Sequence, residues 1–423
     1  MMKFPKFLIL SLASLHCVSM WAGDDKAPKP FQNAVVFEGG GNKIAMFIGM
    51  YDAMVKAGHP PDVIIGTVSG SIAAAIIKAI PDPAERMKFV NSQKFQDFMR
   101  SIDTQGSWAV THAWHVDSDN QKHKDEENGS EIPPVFGNTI LNLTDHLPFP
   151  ELHKAFTSDT PRVVMVASIP NHNVAAEELA KDYNVVSHRG DTFKEVFVTD
   201  PETAKYFQGF ESPTHKLFPW SRVESETQTI TNLDLADGAR GSATDYFYYT
   251  PVLFNQLGGK SLGSGSIDLY AQGVAQHLAN HTTINFDEEV NDHVLAAEKR
   301  AYGTDQTVDQ RVAYDRLNRD GADWIDLSDA NTVIGGKGFD LGWDGGVSVA
   351  LNVPKNHATY VEYQNALYDY GYQRATEAFV SKTINGNTIS LIRKVDDLDA
   401  SRGLQAEIKK KKLQSQVADE PAE

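Results

Sequence analysis

Residues 34–80 read AVVFEGGGNKIAMFIGMYDAMVKAGHPPDVIIGTVSGSIAAAIIKAI, and this stretch decides the fold. A short apolar run ends at the glycines 39–41, and apolar residues then recur at helical spacing as far as Lys56. The pattern repeats, with a second buried strand at 62–65, a tight turn at 66–70 and an apolar helix at 71–80. Strands that alternate with helices in this way predict an α/β fold with a mostly parallel sheet.

Both glycine-rich turns lie between a strand and the start of a helix. A helix N-terminus offers unpaired N–H groups and a partial positive charge, and glycine lets a ligand approach the backbone closely. The turns therefore predict an oxyanion or phosphate site. The first turn lacks the spacing of a phosphate-binding loop, and Ile44 stands where a dinucleotide fingerprint has its last glycine. Nucleotide binding is therefore disfavoured, and we expect no cofactor.

The run from Phe37 to Lys43, the helix after it and the segment PDVIIGT at 61–67 resemble the start of the patatin-like phospholipases. The resemblance implies a three-layer α/β/α sandwich, a lipid or acyl-ester ligand, and a Ser–Asp dyad that works without histidine or metal. It also implies two sets of site residues: an oxyanion-binding loop of Gly39, Gly40, Gly41 and Lys43, and an elbow bounded by Gly66 and Gly70.

The nucleophile position implied by the resemblance falls on Val68, in the run Gly-Thr-Val-Ser-Gly. Valine has no oxygen with which to attack a carbonyl. The neighbouring Ser69 allows two interpretations: a shifted nucleophile, or a cap for a helix that begins near Ser71. We favour the cap, because a shifted elbow would place the stiff side chain of Thr67 where a small residue relieves crowding.

The partner acid has three candidate positions. The segment 239–252 resembles the family's stretch before the catalytic aspartate, and counting on from it reaches Ala271, which we favour. Asp344 and Asp237 remain alternatives, although an Asp-Gly pair is also typical of a turn. Ile44 is a third departure, because its branched Cβ replaces a glycine common in the family and would restrict the approach of a carbonyl oxygen.

Three departures at the points where chemistry is needed predict a catalytically impaired patatin-like protein that binds lipid, acyl chains or a protein partner. One alternative is an active serine lipid acyl hydrolase, of the phospholipase A or esterase type, in which Ser69 works with Asp344 or Asp237. A second alternative is an exported interaction or structural protein that uses a polar insertion at about 103–135.

The N-terminal segment predicts export. Residues 1–22 have the basic start, apolar centre and small final residue of a secretory signal, which indicates a periplasmic or extracellular location. A polar linker at 23–31 follows, then the main domain at 32–385 and a charged tail at 386–423. The single cysteine, Cys17, lies in the signal, so we expect no disulfide in the mature chain.

Charge limits the classes of partner. The formal net charge of −17 disfavours nucleic acid and leaves at most a transient contact with a membrane surface. His112, His115 and His123 lie among charged residues without ligand spacing, so we expect no metal site. Further along, we expect a strand at 162–167, a charged helix at 284–320 and a long amphipathic helix at 358–381.

Overall fold

The computed structural model describes residues 28–39, 41–100, 147–171, 192–244, 252–286, 302, 322–327, 329–339 and 353–385. The predicted signal peptide, the insertion at 103–135, the tail at 386–423, Gly40 and Asp344 lie outside the described residues.

The strands are β1 (Phe31–Phe37), β2 (Val63–Thr67), β3 (Arg162–Pro170), β4 (Phe193–Thr199), β5 (Gln228–Ile230), β6 (Leu253–Phe254), β7 (Lys260–Ser261), β8 (Ala279–Phe286) and β9 (Ala322–Asp326). Seven of them form a central sheet in the order β5-β4-β3-β2-β1-β8-β9, and β6 pairs with β7 separately. Every neighbouring pair in the central sheet is parallel except β3 and β4, which are antiparallel. The mostly parallel α/β sheet is therefore confirmed.

The helices are α1 (Ile44–Lys56), α2 (Ser69–Ala79), α3 (Pro83–Val90), α4 (Pro201–Ala204), α5 (Pro213–Leu217), α6 (Leu235–Ser242), α7 (Gln272–Leu278), α8 (Ala330–Gly335) and α9 (His357–Asn385). A short 3₁₀ helix, Gly265–Asp268, precedes α7. No helix in the part of the chain that the structure describes is long and apolar enough to cross a bilayer.

The core lies on both faces of the central sheet. Val35 and Phe37 of β1 join an apolar cluster with α1, α2, α3, α6 and α9, whereas Ala34 and Val36 join a second cluster that includes α7. Successive side chains of a strand point to opposite faces, so a sheet that is covered on both sides needs continuous apolar runs. The continuous apolar runs of β1 and β2 therefore let helices cover both faces of the sheet, which gives the three layers.

The long helix α9 packs directly on α1. Gly49 and Gly371 mark the contact, because an added Cβ would lie 2.1 Å from the carbonyl oxygen of Tyr368 or Met46 respectively. Nearby, the Gln364 side chain donates a hydrogen bond of 3.1 Å to Asn42 in the glycine loop. The helix that the sequence predicts at 358–381 is thus present, and it supports the loop at residues 38–43.

Two predicted boundaries are wrong. The charged helix expected from residue 284 is strand at its start, because β8 continues to Phe286 between β1 and β9. Polar side chains in β8 concealed the strand: Thr282, Thr283 and Asn285 are all buried. Helix α2 begins at Ser69 rather than near residue 71.

Candidate functional site

The two glycine-rich turns meet at one edge of the central sheet. Strands β1 and β2 are parallel, and Phe37 pairs with Gly66, so the residues that follow each strand emerge side by side. One turn, the glycine loop, covers residues 38–43. The other is a single residue, Val68, between the end of β2 and the start of α2. We call Val68 and its two neighbours on each side, residues 66–70, the elbow.

Val68 holds a strained backbone. Its φ is 50° and its ψ is −116°, a conformation that β-branched residues rarely adopt. Backbone strain of this kind costs about 1–3 kcal/mol and clusters at functional sites. The surrounding contacts must therefore hold the elbow in this shape.

Close packing of main chain accounts for both elbow glycines. A Cβ added to Gly66 would lie 2.7 Å from the Cα of Ser71, and one added to Gly70 would lie 1.9 Å from the carbonyl oxygen of Phe37. A side chain at Gly66 would push the start of α2 away from β2, and one at Gly70 would push it away from β1. Glycine at 66 and 70 therefore lets the elbow lie directly against the end of β1.

Hydroxyl groups tie the elbow to its surroundings. Ser242, at the end of α6, accepts hydrogen bonds from the Val68 N–H at 3.1 Å and the Ser71 hydroxyl at 2.7 Å, and donates to the carbonyl of Val166 at 2.5 Å. Thr67, expected to crowd the turn, is fully buried and donates to the Leu269 carbonyl at 2.9 Å. Sequence reasoning missed Ser242, because its contacts with residues 68 and 71 span more than 170 positions of chain.

Ser69 is the first residue of α2 and not its cap. The N-cap is Val68, which makes no side-chain capping bond. The Ser69 side chain is 4% exposed, and its Oγ has no hydrogen-bond partner among the described residues. The capping interpretation is therefore wrong, and no carboxylate in the described chain is hydrogen-bonded to Ser69 as a base.

Ala271 occupies the second strained position. Its φ is 39° and its ψ is 29°, and it is the fully buried N-cap of α7. Its N–H donates to the Asp268 carboxylate at 3.1 Å. Left-handed backbone and the N-cap both suit aspartate or asparagine, whereas alanine is poor at each. Within the described residues, Val68 and Ala271 are the non-glycine residues with positive φ.

The glycine loop, the elbow and the segment before Ala271 come together. A Cβ added to Gly39 would lie 2.9 Å from Cδ1 of Leu269 and 3.1 Å from Cβ of Val68. Val68 is partly buried against the cluster that contains Leu269 and Ala271. Apolar groups thus occupy the positions at which the resemblance places the nucleophile and the acid.

The structure places Asp237 at the other end of α6 from Ser242, about 7.5 Å away along the helix axis. Its N–H donates to Asp234, the N-cap of α6, at 2.7 Å, and its carboxylate accepts from Gln256 at 3.3 Å. These two hydrogen bonds lie near the start of α6 and not at the elbow. Asp344 lies outside the described residues.

Asp237 also lies in a group of three potential metal ligands. Single ligand atoms of His153, Asp234 and Asp237 lie within 4.8 Å of one another. Both nitrogens of His153 are already engaged, with Asp234 at 2.9 Å and with the carbonyl of Leu147 at 3.1 Å. Partial burial alone would lower the pKa of His153, but these hydrogen bonds outweigh it and the pKa is raised. Asp234 caps α6 and pairs with His153, which explains why these three side chains lie close together. His112, His115 and His123 lie outside the described residues.

Buried polar groups support the glycine loop from behind. Glu38 exchanges two hydrogen bonds of 3.1 Å with Asn285 of β8. Burial raises the pKa of Glu38 well above its usual range, although the charge of Lys43 and the hydroxyl of Tyr270 oppose the shift. Gly41 has a φ of 61°, which favours glycine. Ile44 is not part of this polar group. It is 1% exposed, and its side chain packs in the apolar core rather than facing solvent above the loop.

A family model described as Patatin-like phospholipase matches residues 35–268, which is more than half of the chain. The match covers both turns, α6 and the 3₁₀ helix before α7. Among solved structures, the crystal structure of VipD from Legionella pneumophila is similar at 11% identity and a TM-score of 0.33, covering 93% of this chain and 77% of that one. No curated protein matches the chain.

Proposed function

Because the chain belongs to the patatin-like phospholipase family, we propose that it is an exported, catalytically impaired member that uses the family's fold to bind lipid or acyl chains, or a protein partner. The observation that carries this proposal is the elbow, where Val68 takes the strained position between β2 and α2. Acyl transfer through a covalent intermediate needs a nucleophile at that point and a base beside it.

The neighbouring residues support a loss of catalysis. Ser69 follows Val68 into the helix, and one residue of helix turns a side chain by roughly 100°, so the two side chains point in different directions. The Ser69 hydroxyl also has no base among the described residues. Ala271 has a methyl group, which accepts no proton.

The preserved shape of the site supports a binding role. Two strained backbone positions persist at Val68 and Ala271, at a cost of about 1–3 kcal/mol each. Hydrogen bonds from Thr67 and to Ser242 still hold the elbow. A site that had lost every role would gain stability by relaxing, so we assign this one to ligand binding.

The first test is labelling and turnover with the purified chain from residue 23 onward. We expect no adduct with a serine-directed fluorophosphonate and no hydrolysis of short esters, long esters or phospholipid. Ser69→Ala is the matched control. Labelling or turnover that disappears in Ser69→Ala would refute impairment and establish the alternative of an active serine lipid acyl hydrolase.

The second test restores the missing groups. We expect Val68→Ser combined with Ala271→Asp to hydrolyse esters, while each single variant remains inactive, because a nucleophile and its base act as a unit. A double variant that folds but neither hydrolyses esters nor reacts with the fluorophosphonate would contradict the assignment of positions 68 and 271.

Lipid binding and export need separate measurements. Native mass spectrometry of protein purified from its export compartment should find bound fatty acid or phospholipid. A chain that retains no lipid and takes up none would contradict the binding role and favour an interaction protein. Fractionation of cells that express residues 1–423 and 23–423 should find only the former outside the cytoplasm.

A further inference from the structure

We infer that the elbow binds the carboxylate of a free fatty acid, held by the start of α2, rather than the carbonyl of an intact ester. The inference rests on the proposed lipid-binding function and specifies the chemistry of the head group.

An unpartnered donor marks the position of the head group. The Ser69 hydroxyl is buried and has no hydrogen-bond partner among the described residues. It belongs to the first residue of α2, an 11-residue helix, and helical side chains lean toward the N-terminus. The hydroxyl therefore lies at the positive end of the helix dipole. A carboxylate oxygen is the kind of acceptor that such a group lacks.

The backbone donors of the same turn point to the same ligand. The first N–H groups of a helix have no intrahelical acceptor. Two around this turn are satisfied: the Val68 N–H bonds to Ser242 and the Ser71 N–H bonds to the Val68 carbonyl at 3.1 Å. Those of Ser69 and Gly70 have no hydrogen bond within the described part of the chain. Two N–H groups and a hydroxyl form a set of donors that suits an anion.

The charges around the elbow favour an anion more than those of an active patatin-like site would. The resemblance implies an aspartate where Ala271 stands, and its negative charge would repel a carboxylate. Burial moves Glu38 toward its uncharged form, while Lys43 is a buried cation in the loop. Asp268, a buried acid three residues before Ala271, directs one oxygen to the Ala271 N–H at the start of α7.

The groups beside the donors suit the start of an acyl chain. Val68 and Leu269 both lie against the position of Gly39, so the carbons next to the carboxylate would meet branched aliphatic side chains. Valine at 68 thereby replaces an attacking group with a surface for methylene groups.

The test compares oleate with methyl oleate, which share the chain and differ in charge. Binding to the delipidated chain from residue 23 is measured at pH 8 by isothermal titration. We expect oleate to bind at least about tenfold more tightly than methyl oleate, as expected for hydrogen bonds to a charged group. Ser69→Ala should weaken oleate binding about tenfold and change methyl oleate binding much less.

Position 271 supplies an independent readout. Ala271→Asp should weaken oleate about tenfold or more and leave methyl oleate unchanged, whereas the neutral Ala271→Asn should preserve the preference for oleate. Thr282→Val is the matched control, because Thr282 is buried in β8 and its hydroxyl also has no hydrogen-bond partner among the described residues. We expect this control to bind both ligands as the parent chain does.

The outcomes separate the two proposals. Equal affinity for oleate and methyl oleate, or unchanged oleate binding in Ser69→Ala, would overturn the carboxylate inference while lipid binding stands. Failure to bind either ligand would overturn the lipid-binding role on which the inference rests. If Ala271→Asp does not fold, as judged by circular dichroism, the ligand pair and Ser69→Ala still decide the question.

Discussion

Replacing Gly70 with alanine should destabilise the protein sharply and abolish ligand binding at the elbow. A Cβ at this position would lie 1.9 Å from the Phe37 carbonyl oxygen, 2.5 Å from its carbonyl carbon and 2.8 Å from the Glu38 carbonyl oxygen. Real Cβ atoms essentially never approach other atoms closer than 3.0 Å, so α2 and β1 must separate by 3.0 − 1.9 = 1.1 Å. All three obstacles are main chain, and no side-chain rotation relieves them.

Neither β1 nor α2 can shift easily to make room. Strand β1 lies between β2 and β8, hydrogen-bonded on both sides, and α2 is tied to α6 through Ser71 and Ser242. Overpacking usually costs about 1–3 kcal/mol, and this fixed backbone places the change at or above the upper end. Helix propensity returns at most about 1 kcal/mol for alanine over glycine. We expect a net loss of at least about 2 kcal/mol.

Urea unfolding followed by circular dichroism measures this loss, with Gly209→Ala as the comparison. Gly209 has a φ of 71° and nothing within 4 Å of an added Cβ, so alanine there costs only left-handed strain, about 1–2 kcal/mol. Gly209→Ala should keep its affinity for acyl ligand, whereas Gly70→Ala should lose it. A loss at Gly70 no larger than the loss at Gly209 would refute the reasoning.

Three further predictions concern the frame around the site. Gly371→Ala should lower the free energy of unfolding despite the better helix propensity of alanine, because its Cβ would lie 2.1 Å from the Met46 carbonyl oxygen. A higher free energy of unfolding, measured in urea, would contradict this. Arg86→Met should cost about 3–5 kcal/mol, because it leaves the Asp52 carboxylate buried without its ion pair, and adding Asp52→Asn should recover most of that loss. The pKa of His153 is raised in the folded chain, so its stabilising contribution is present below its unfolded pKa and is lost as pH rises through the folded pKa. The parent chain should therefore exceed His153→Gln in free energy of unfolding, measured in urea, by more at about pH 5 than at about pH 8.5. An equal difference at both pH values would contradict the shift.

Local patterns predicted the first half of the sheet well. The apolar runs of β1 and β2 end at glycines, and the main-chain contacts at Gly66 and Gly70 explain why no other residue serves there. Strand β8 was harder to recognise, because Asn285 is polar in sequence but hydrogen-bonds Glu38 inside the fold. The side-chain oxygen and nitrogen of Asn285 are both satisfied by Glu38, 247 positions earlier in the chain, which no local pattern records.

The location of the site stays a prediction, but the structure adds detail that the sequence does not contain. The family resemblance pointed to Val68 and Ala271, and the backbone angles at these two residues add a physical reason for attention that residue identity does not contain. The cap assigned to Ser69 failed because Val68, the single residue between β2 and α2, takes the N-cap position, so Ser69 is already the first residue of the helix. Ser242 was missed because its role depends on tertiary contacts with the elbow.

The contact of α9 with the glycine loop and α1 has a consequence for the order of folding. Asn42 in the glycine loop bonds Gln364, which lies 322 positions later, and α1 packs along the same late helix. During synthesis the glycine loop is made early, and α9, which supports it through Gln364, is made more than 300 residues later. Contacts of such long range are slow to form, because a large loop must close first. The glycine loop is therefore among the last parts of the protein to form, and a chain interrupted before α9 would carry the loop residues without a formed loop.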